Sequence, residues 1–324
     1  MKYNVPILLI TFNRPKLVRK VLLEIKKIQP KSLYIFQDGP RKGVSEDILL
    51  IQEVRSIIKE LVDWPCNLVT MFQNVNLGCG RGPATAIEMF FSHEERGIIL
   101  EDDCMPHPDF FEYCEELLIL YQEDKRISFI GGCNYNFPIN FDYSYAFMGG
   151  HHQTWGWATW KRTWDNFDYY LTGWDEKKIK SVIKYYYKDF RQRIYWLKKY
   201  RDVKKNRMND FCWDYQFYFS CWEHHQLAIC PSVNLVSNVG YGEDATHTKS
   251  EGSDLLSMKT QLIIPITHPK QVEHKKQIDD FMMKRFIIPY CYGKKIFIHS
   301  ISFVNLKIKK ILNHKGPWIK RRTL

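Results

Sequence analysis

The stretch Gly97-Ile98-Ile99-Leu100-Glu101-Asp102-Asp103 decides how this chain is read. Four small or apolar residues suit a strand buried on both faces, as in a parallel sheet. Three carboxylates then follow at its end. Adjacent acids at a buried strand end repel one another and are costly to desolvate unless a cation sits there. Hard oxygen donors of this kind suit Mg²⁺ or Mn²⁺, which take their remaining ligands from phosphates and water.

The same pattern extends to both sides. Upstream, the apolar run Val5 to Phe12 ends at Asn13-Arg14-Pro15 and leads into a helix over 16–28, whose Leu17, Val21, Leu22 and Ile25 share one face. Ser32 to Gln37 predicts a second strand, ending at Asp38-Gly39-Pro40. A helix over 45–61, a strand over Asn67 to Phe72 and a helix over Pro83 to Phe91 come next. Downstream, Pro108 to Tyr121 predicts a helix and Ile127 to Ile130 a strand. Alternating strands and helices make an α/β fold with a mainly parallel, Rossmann-like sheet flanked by helices. Ligands of such sheets bind beyond the carboxyl ends of the strands. Thr11, Asn13, Arg14, Asp38, Glu101, Asp102 and Asp103 all fall at those ends and are expected to face one cleft.

The alternation stops near residue 135. An aromatic-rich region runs to about 175, followed by a basic helical stretch over 177–205, an aromatic acidic segment over 210–223 and a strand near Leu227 to Pro231. Aromatic residues make up 15% of the chain, and most of its ten Trp lie between Trp155 and Trp222. Trp155, Trp157 and Trp160 are candidates for a sugar platform, since aromatic faces pack on the C–H faces of a pyranose. Core packing is the plainer reading, above all for Trp160. His151-His152 precedes the Trp run, and adjacent residues of an extended chain point opposite ways. The pair is therefore not a shared metal site, and His152 is placed at the acceptor. Asn76-Leu77-Gly78-Cys79-Gly80-Arg81-Gly82 is a glycine-rich turn feeding a helix, able to offer backbone N–H groups to phosphate. Arg81 is placed there as a donor contact.

The formal net charge is +11, and Lys294 to Arg322 contains many Lys and Arg with no acid. Its mixture of basic and apolar residues at helical spacing predicts contact with an anionic membrane surface. Nine Cys without a CxxC pair or zinc spacing point to free thiols in a reducing compartment. No apolar run approaches the ~18 residues of a membrane span. These features predict a cytoplasmic protein, peripheral on the inner face of the membrane.

A strand followed by Glu101-Asp102-Asp103 resembles the metal motif of GT-A fold glycosyltransferases. Val5 to Pro15 is similar to the first strand and donor-binding turn of that fold, and Gln37-Asp38-Gly39 to the second. Pro108 to Tyr113, Trp155-Gly156-Trp157 and Trp213-Asp214 resemble segments of the N-acetylglucosaminyltransferase I family, and the chain as a whole resembles bacterial surface-polysaccharide glycosyltransferases. The resemblance covers about residues 5–247 and implies a UDP-sugar donor, Mn²⁺ or Mg²⁺, and a glycan acceptor. By position, Arg14 and Asp38 would hold base and ribose, with Asp38 accepting from the imide N–H of uracil. Asp103 would ligate the metal and Asp102 would lie nearer the ribose. Asp214 would be the general base of an inverting transfer, with Asp210 and Glu223 as rivals. Asn238 to Thr248 would be a loop that orders over the donor, bringing His247 to metal or phosphate.

The expected organisation is a donor-binding half over 1–135, an acceptor-binding and catalytic half over 136–250, and a basic extension over 251–324. A lipid-linked acceptor would suit the basic tail. One rival is a sugar-nucleotide pyrophosphorylase, which needs a glycine-rich loop and a catalytic Lys directly after the first strand. Another is a non-catalytic nucleotide- or carbohydrate-binding protein, which could dispense with Asp214 and the acids. Nucleic acid is not an expected partner, because the chain has no binding module for it and the acidic triplet would repel phosphate.

Overall fold

The computed structural model describes residues 3–135, 139–150, 154–205, 212–240 and 260–287. The chain divides into two compact units, Met1–Asp279 and Asp280–Leu324. Of the second unit, residues 280–287 are described and are helical.

The first unit opens with the expected alternation. Strand β1 (Ile7–Thr11) leads into α1 (Pro15–Ile28), β2 (Ser32–Gln37), α2 (Ser45–Leu61), β3 (Asn67–Phe72), α3 (Gly78–Phe91) and β4 (Arg96–Glu101). Every residue of β1 is buried, as its unbroken apolar run requires. Pro15 starts α1, where a missing N–H costs nothing. Val18, Val21, Leu22 and Ile25 are the face it buries.

A short strand β5 (Cys104–Pro106) follows, then α4 (Pro108–Leu120) and β6 (Ile127–Gly131). Beyond residue 135 come β7 (Tyr145–Met148), β8 (Trp157–Trp160), a single turn α5 (Lys161–Trp164), α6 (Glu176–Tyr186), α7 (Phe190–Lys204), α8 (Asp214–Glu223), β9 (Leu227–Pro231) and β10 (Val236–Asn238). Helix α9 (Lys276–Met282) comes later in the chain.

Eight strands form one sheet in the order β3-β2-β1-β4-β8-β6-β9-β7. Its pairings are parallel except those of β8 with β4 and β6 and that of the edge strand β7 with β9, which are antiparallel. The sheet is thus mixed, mostly parallel and flanked by helices. It runs without interruption past residue 135, because β8 pairs with β4 through Ile99↔Trp157 and Ile98↔Ala158.

One local expectation is corrected, and two coarser ones gain detail. The helix expected from Pro83 begins at Gly78 and carries Pro83 inside it. Gly78 has φ +78° and donates its N–H to the Asp38 carboxylate at 3.0 Å, so an acid forty residues upstream caps the helix. The basic stretch over 177–205 is two helices, α6 and α7, broken before Asp189. The Asp189 carboxylate accepts from the N–H of Arg191 at 2.8 Å and starts the second helix. The aromatic region after 135 contributes strands β7 and β8 to the sheet rather than loops alone.

Candidate active site at the carboxyl ends of the strands

The register of the parallel strands sets the site. Thr11 of β1 lies beside Gln37 of β2, and Ile10 lies beside Glu101 of β4. The segments that follow β1, β2 and β4 therefore leave the sheet along one edge. Thr11 itself is buried and turns its hydroxyl to the Phe36 carbonyl at 2.9 Å. Asn13 donates to Asp47 at 2.7 Å. Asp47 is also bound by Arg41, whose hydrogen bonds hold its carboxyl down at about 2.

The acidic triplet is the densest charge cluster at this edge. Arg14 pairs through its guanidinium with Asp102 and, at 3.0 Å, with Asp103. One cation thus faces three carboxylates. Burial, with Asp103 and Asp102 close by, pushes the Glu101 carboxyl up to about 8. Asp102 is 2% exposed; burial pushes it up to about 6, with Arg14 opposing. Its Oδ2 is buried without a hydrogen-bond partner.

Gly240 rides directly over Asp103. The antiparallel pair β5–β10 brings the chain there, and the Val239 N–H donates to the Asp103 carbonyl at 2.8 Å. A Cβ on Gly240 would stand 2.6 Å from the Cβ of Asp103, so only glycine fits without displacing the acid. The following residues, including His247, lie outside the described residues, as do His151, His152 and Asp210.

Asp214 is the first residue of α8. Its carboxylate accepts from the Tyr215 N–H at 3.0 Å and from the Tyr218 hydroxyl at 3.1 Å. Burial pushes its carboxyl above the ordinary range, with the Tyr218 hydrogen bond opposing. Its charge reaches Glu101, which it helps to raise. Glu223 ends the same helix and is ion-paired with Lys178. Nine residues of rise at 1.5 Å put it roughly 13 Å along the axis from Asp214.

The other expected residues are held as follows. Asp38 accepts from Gly39 N–H and Leu77 N–H at 2.8 Å, and from Gly78 N–H and the Asn76 side chain at 3.0 Å. The α3 amino end thus uses its oxygens. Arg81 binds the Tyr170 hydroxyl and lies 5.5 Å from the Tyr169 ring centroid. Trp157 is 1% exposed, stacked 5.0 Å from Phe129 and 5.7 Å from Trp213, which leaves no ring face for a sugar. Trp160 is likewise core, donating to the Leu118 carbonyl at 3.1 Å. Trp155 is partly exposed and meets Tyr135 edge-on at 5.6 Å. Gly156 between them needs its φ of +64°.

Three features were not singled out from sequence: Tyr218 as the partner of Asp214, Gly240 against Asp103, and Arg14 as the counter-ion of the triplet. Tyr218 is four residues beyond Asp214, a helical neighbour readable from spacing. The other two depend on contacts across the fold. The eight cysteines among the described residues are free. No helix among them is long and apolar enough to cross a membrane.

No protein-family model matches the chain, and no curated protein matches it. Solved structures do. A cytidylyltransferase from Leptospira borgpetersenii aligns at 12% identity and TM-score 0.31, over 51% of this chain and 63% of its own. An inositol-1-phosphate CTP transferase from T. maritima aligns at 9% and 0.31, over 50% and 73%. A UDP-glucose pyrophosphorylase complexed with UDP-glucose aligns at 10% and 0.31, over 51% and 79%. The alignment spans less than two thirds of the first of these. Likeness at this level carries no argument about activity.

Proposed function

We propose that this chain is a metal-dependent, inverting glycosyltransferase that moves a sugar from a nucleoside-diphosphate sugar, with UDP as the favoured nucleotide, to a glycan hydroxyl. The observation that carries the reading is that the buried acid Asp214 opens α8 next to Trp213, which stacks on Trp157 of β8, the strand paired with β4 and its acidic end. Glu101-Asp102-Asp103 ends β4, and Asp214 begins α8 close enough to raise Glu101. A further point separates this reading from the pyrophosphorylase. Asn13-Arg14-Pro15 and helix α1 follow the first strand, where the rival needs a glycine-rich loop and a catalytic lysine.

The residues fit a divalent cation. Even with Glu101 protonated, Asp102 and Asp103 together outweigh the one guanidinium, and Asp102 Oδ2 is buried without a partner. Asp103 would hold the ion. Among the described residues no three ligating side chains gather round one point, so donor phosphates and water would complete its shell. Once bound, the ion would neutralise charge on the leaving diphosphate.

The chain's own groups do the remaining work. An acceptor hydroxyl is a poor nucleophile until a base takes its proton. Asp214 would take it, and the burial that raises its carboxyl above the ordinary range supports that role. Tyr218 fixes the orientation of the carboxylate. Arg14, freed from part of the triplet, can meet a donor phosphate as a bidentate partner. Trp155 is the remaining aromatic candidate for the acceptor. A bacterial surface polysaccharide, lipid-linked and assembled at the inner membrane face, suits the basic chain.

The test is the Asp214→Asn protein assayed with UDP-sugars. It should fold, bind UDP as the parent does and lose roughly 10²–10⁴-fold in turnover, as for a removed general base. Retained turnover would remove Asp214 from the role. Metal-dependent release of pyrophosphate from UTP and a sugar phosphate would replace the reading with the pyrophosphorylase.

A further inference from the structure

Three large apolar side chains lie open to solvent near the α6–α7 junction. Tyr185, Phe190 and Ile194 are 59%, 65% and 61% exposed. On α7 the buried set is Gln192, Trp196, Tyr200 and Val203. Phe190 and Ile194 each precede a buried residue by two positions, roughly 200° round a helix of 3.6 residues per turn, so they share the opposite face. Tyr185 sits at the end of α6 with one ring face against His225, at a centroid distance of 4.2 Å.

Charge around these residues is strongly one-sided. Between Glu176 and Lys205 there are twelve Lys and Arg against three acids. Lys184, Lys188 and Lys198 are exposed beside the apolar trio. The acids are already engaged: Glu176 with Lys180 and Arg201, Asp189 with Arg191, and Asp202 with Lys198. Leu23 of α1 also stands among lysines, but as a single exposed side chain, and the remaining exposed apolar residues of α2 and α4 have a different setting. Ile48 and Leu49 of α2 lie near Glu46, Asp47 and Glu53, and Ile119 and Leu120 of α4 lie near Glu116 and Glu123. Among the described residues, the α6–α7 junction gathers three exposed apolar side chains beside Lys184 and Lys188, which are exposed and outside the ion pairs just named.

An isolated apolar face would leave its partner open, but this surround narrows the choice. We infer that the outer face of α6 and α7 is a docking surface for an anionic lipid bilayer, with Phe190 and Ile194 entering the headgroup–acyl boundary and Lys184 and Lys188 meeting lipid phosphate. Apolar residues flanked by lysines are the pairing that holds interfacial helices to acidic membranes. The inference needs neither Asp214 nor the acidic triplet, and it does not involve residues 294–324.

The full chain is sedimented with phosphatidylcholine vesicles, with and without phosphatidylglycerol. Binding should require phosphatidylglycerol and weaken as salt rises. Phe190→Ser with Ile194→Ser should lower partitioning roughly tenfold or more, since an apolar anchor is removed from each turn. Lys184→Glu with Lys188→Glu should lower it as well, through charge alone. Both residue pairs are exposed, so circular dichroism and melting temperature should stay at parental values. The Asp214→Asn protein should bind vesicles as the parent does, which separates this outcome from the catalytic reading. Absence of vesicle binding by the parent overturns the inference. So does parental binding by the Phe190→Ser/Ile194→Ser protein, which would place the contact elsewhere. Retention of single-stranded RNA without vesicle binding would make the face a nucleic-acid surface instead.

Discussion

Binding of a divalent cation to the acidic triplet should expel close to one proton at pH 7. Glu101 is pushed up to about 8 by burial and by Asp103 and Asp102, and Asp102 to about 6. At pH 7 the two acids together then hold about one proton. A cation beside them favours the ionised forms, so the release approaches about one proton per ion. Both acids titrate higher in the folded chain than in the unfolded one. The folded state therefore holds more protons between about pH 4 and pH 8, and the stability they contribute is lost as pH rises through that window. The cation should offset much of that loss. Calorimetric titration with Mn²⁺ at pH 7, in two buffers of different ionisation enthalpy, counts the protons directly. Glu101→Gln should bring the count near zero and flatten the difference in melting temperature with and without Mn²⁺ between pH 5 and 8. Mn²⁺ binding to the parent with no proton release would refute the reasoning.

Other perturbations bear on the same site. Tyr218→Phe removes the hydrogen bond that opposes the rise of Asp214, so the acidic limb of the kcat/KM profile should move to higher pH; an unmoved limb would detach Tyr218 from the base. Gly240→Ala forces Asp103 aside and should weaken Mn²⁺-dependent nucleotide binding at an unchanged melting temperature, which parental affinity would contradict. Trp157→Ala should cost about 3–5 kcal/mol of stability in chemical denaturation, as a large buried aromatic does. A near-neutral result would mean that the stack with Phe129 and Trp213 is not core.

Much of the sheet could be read from the chain because β1, β2 and β4 are buried on both faces and spell out unbroken apolar runs. Even β3 begins and ends at the residues expected, Asn67 and Phe72, because turn-formers bracket it. The start of α3 was hidden: its cap is Asp38, and no local pattern at Gly78 announces an acid forty residues upstream. Strand β8 was hidden differently. Its four residues include two Trp that suit either a sugar or a core, and only pairing with β4 decides for the core. The break between α6 and α7 did carry a signal, since Asp189 is a natural N-cap, although the sequence reading placed only a basic helical stretch there. At the site, the acids at the strand end were legible. That Arg14 is their counter-ion was not, because the pair spans 88 residues and depends on how β1 and β4 align.

The central claim is that the β4 acids and their neighbours bind a nucleotide through a metal. Titration of the full chain with UDP, GDP and CMP, each with and without Mn²⁺ and repeated on Asp103→Ala, tests it most directly. The account predicts Mn²⁺-dependent binding of UDP, lost in Asp103→Ala. Failure of the parent chain to bind any of the three, with Mn²⁺ present, would contradict it.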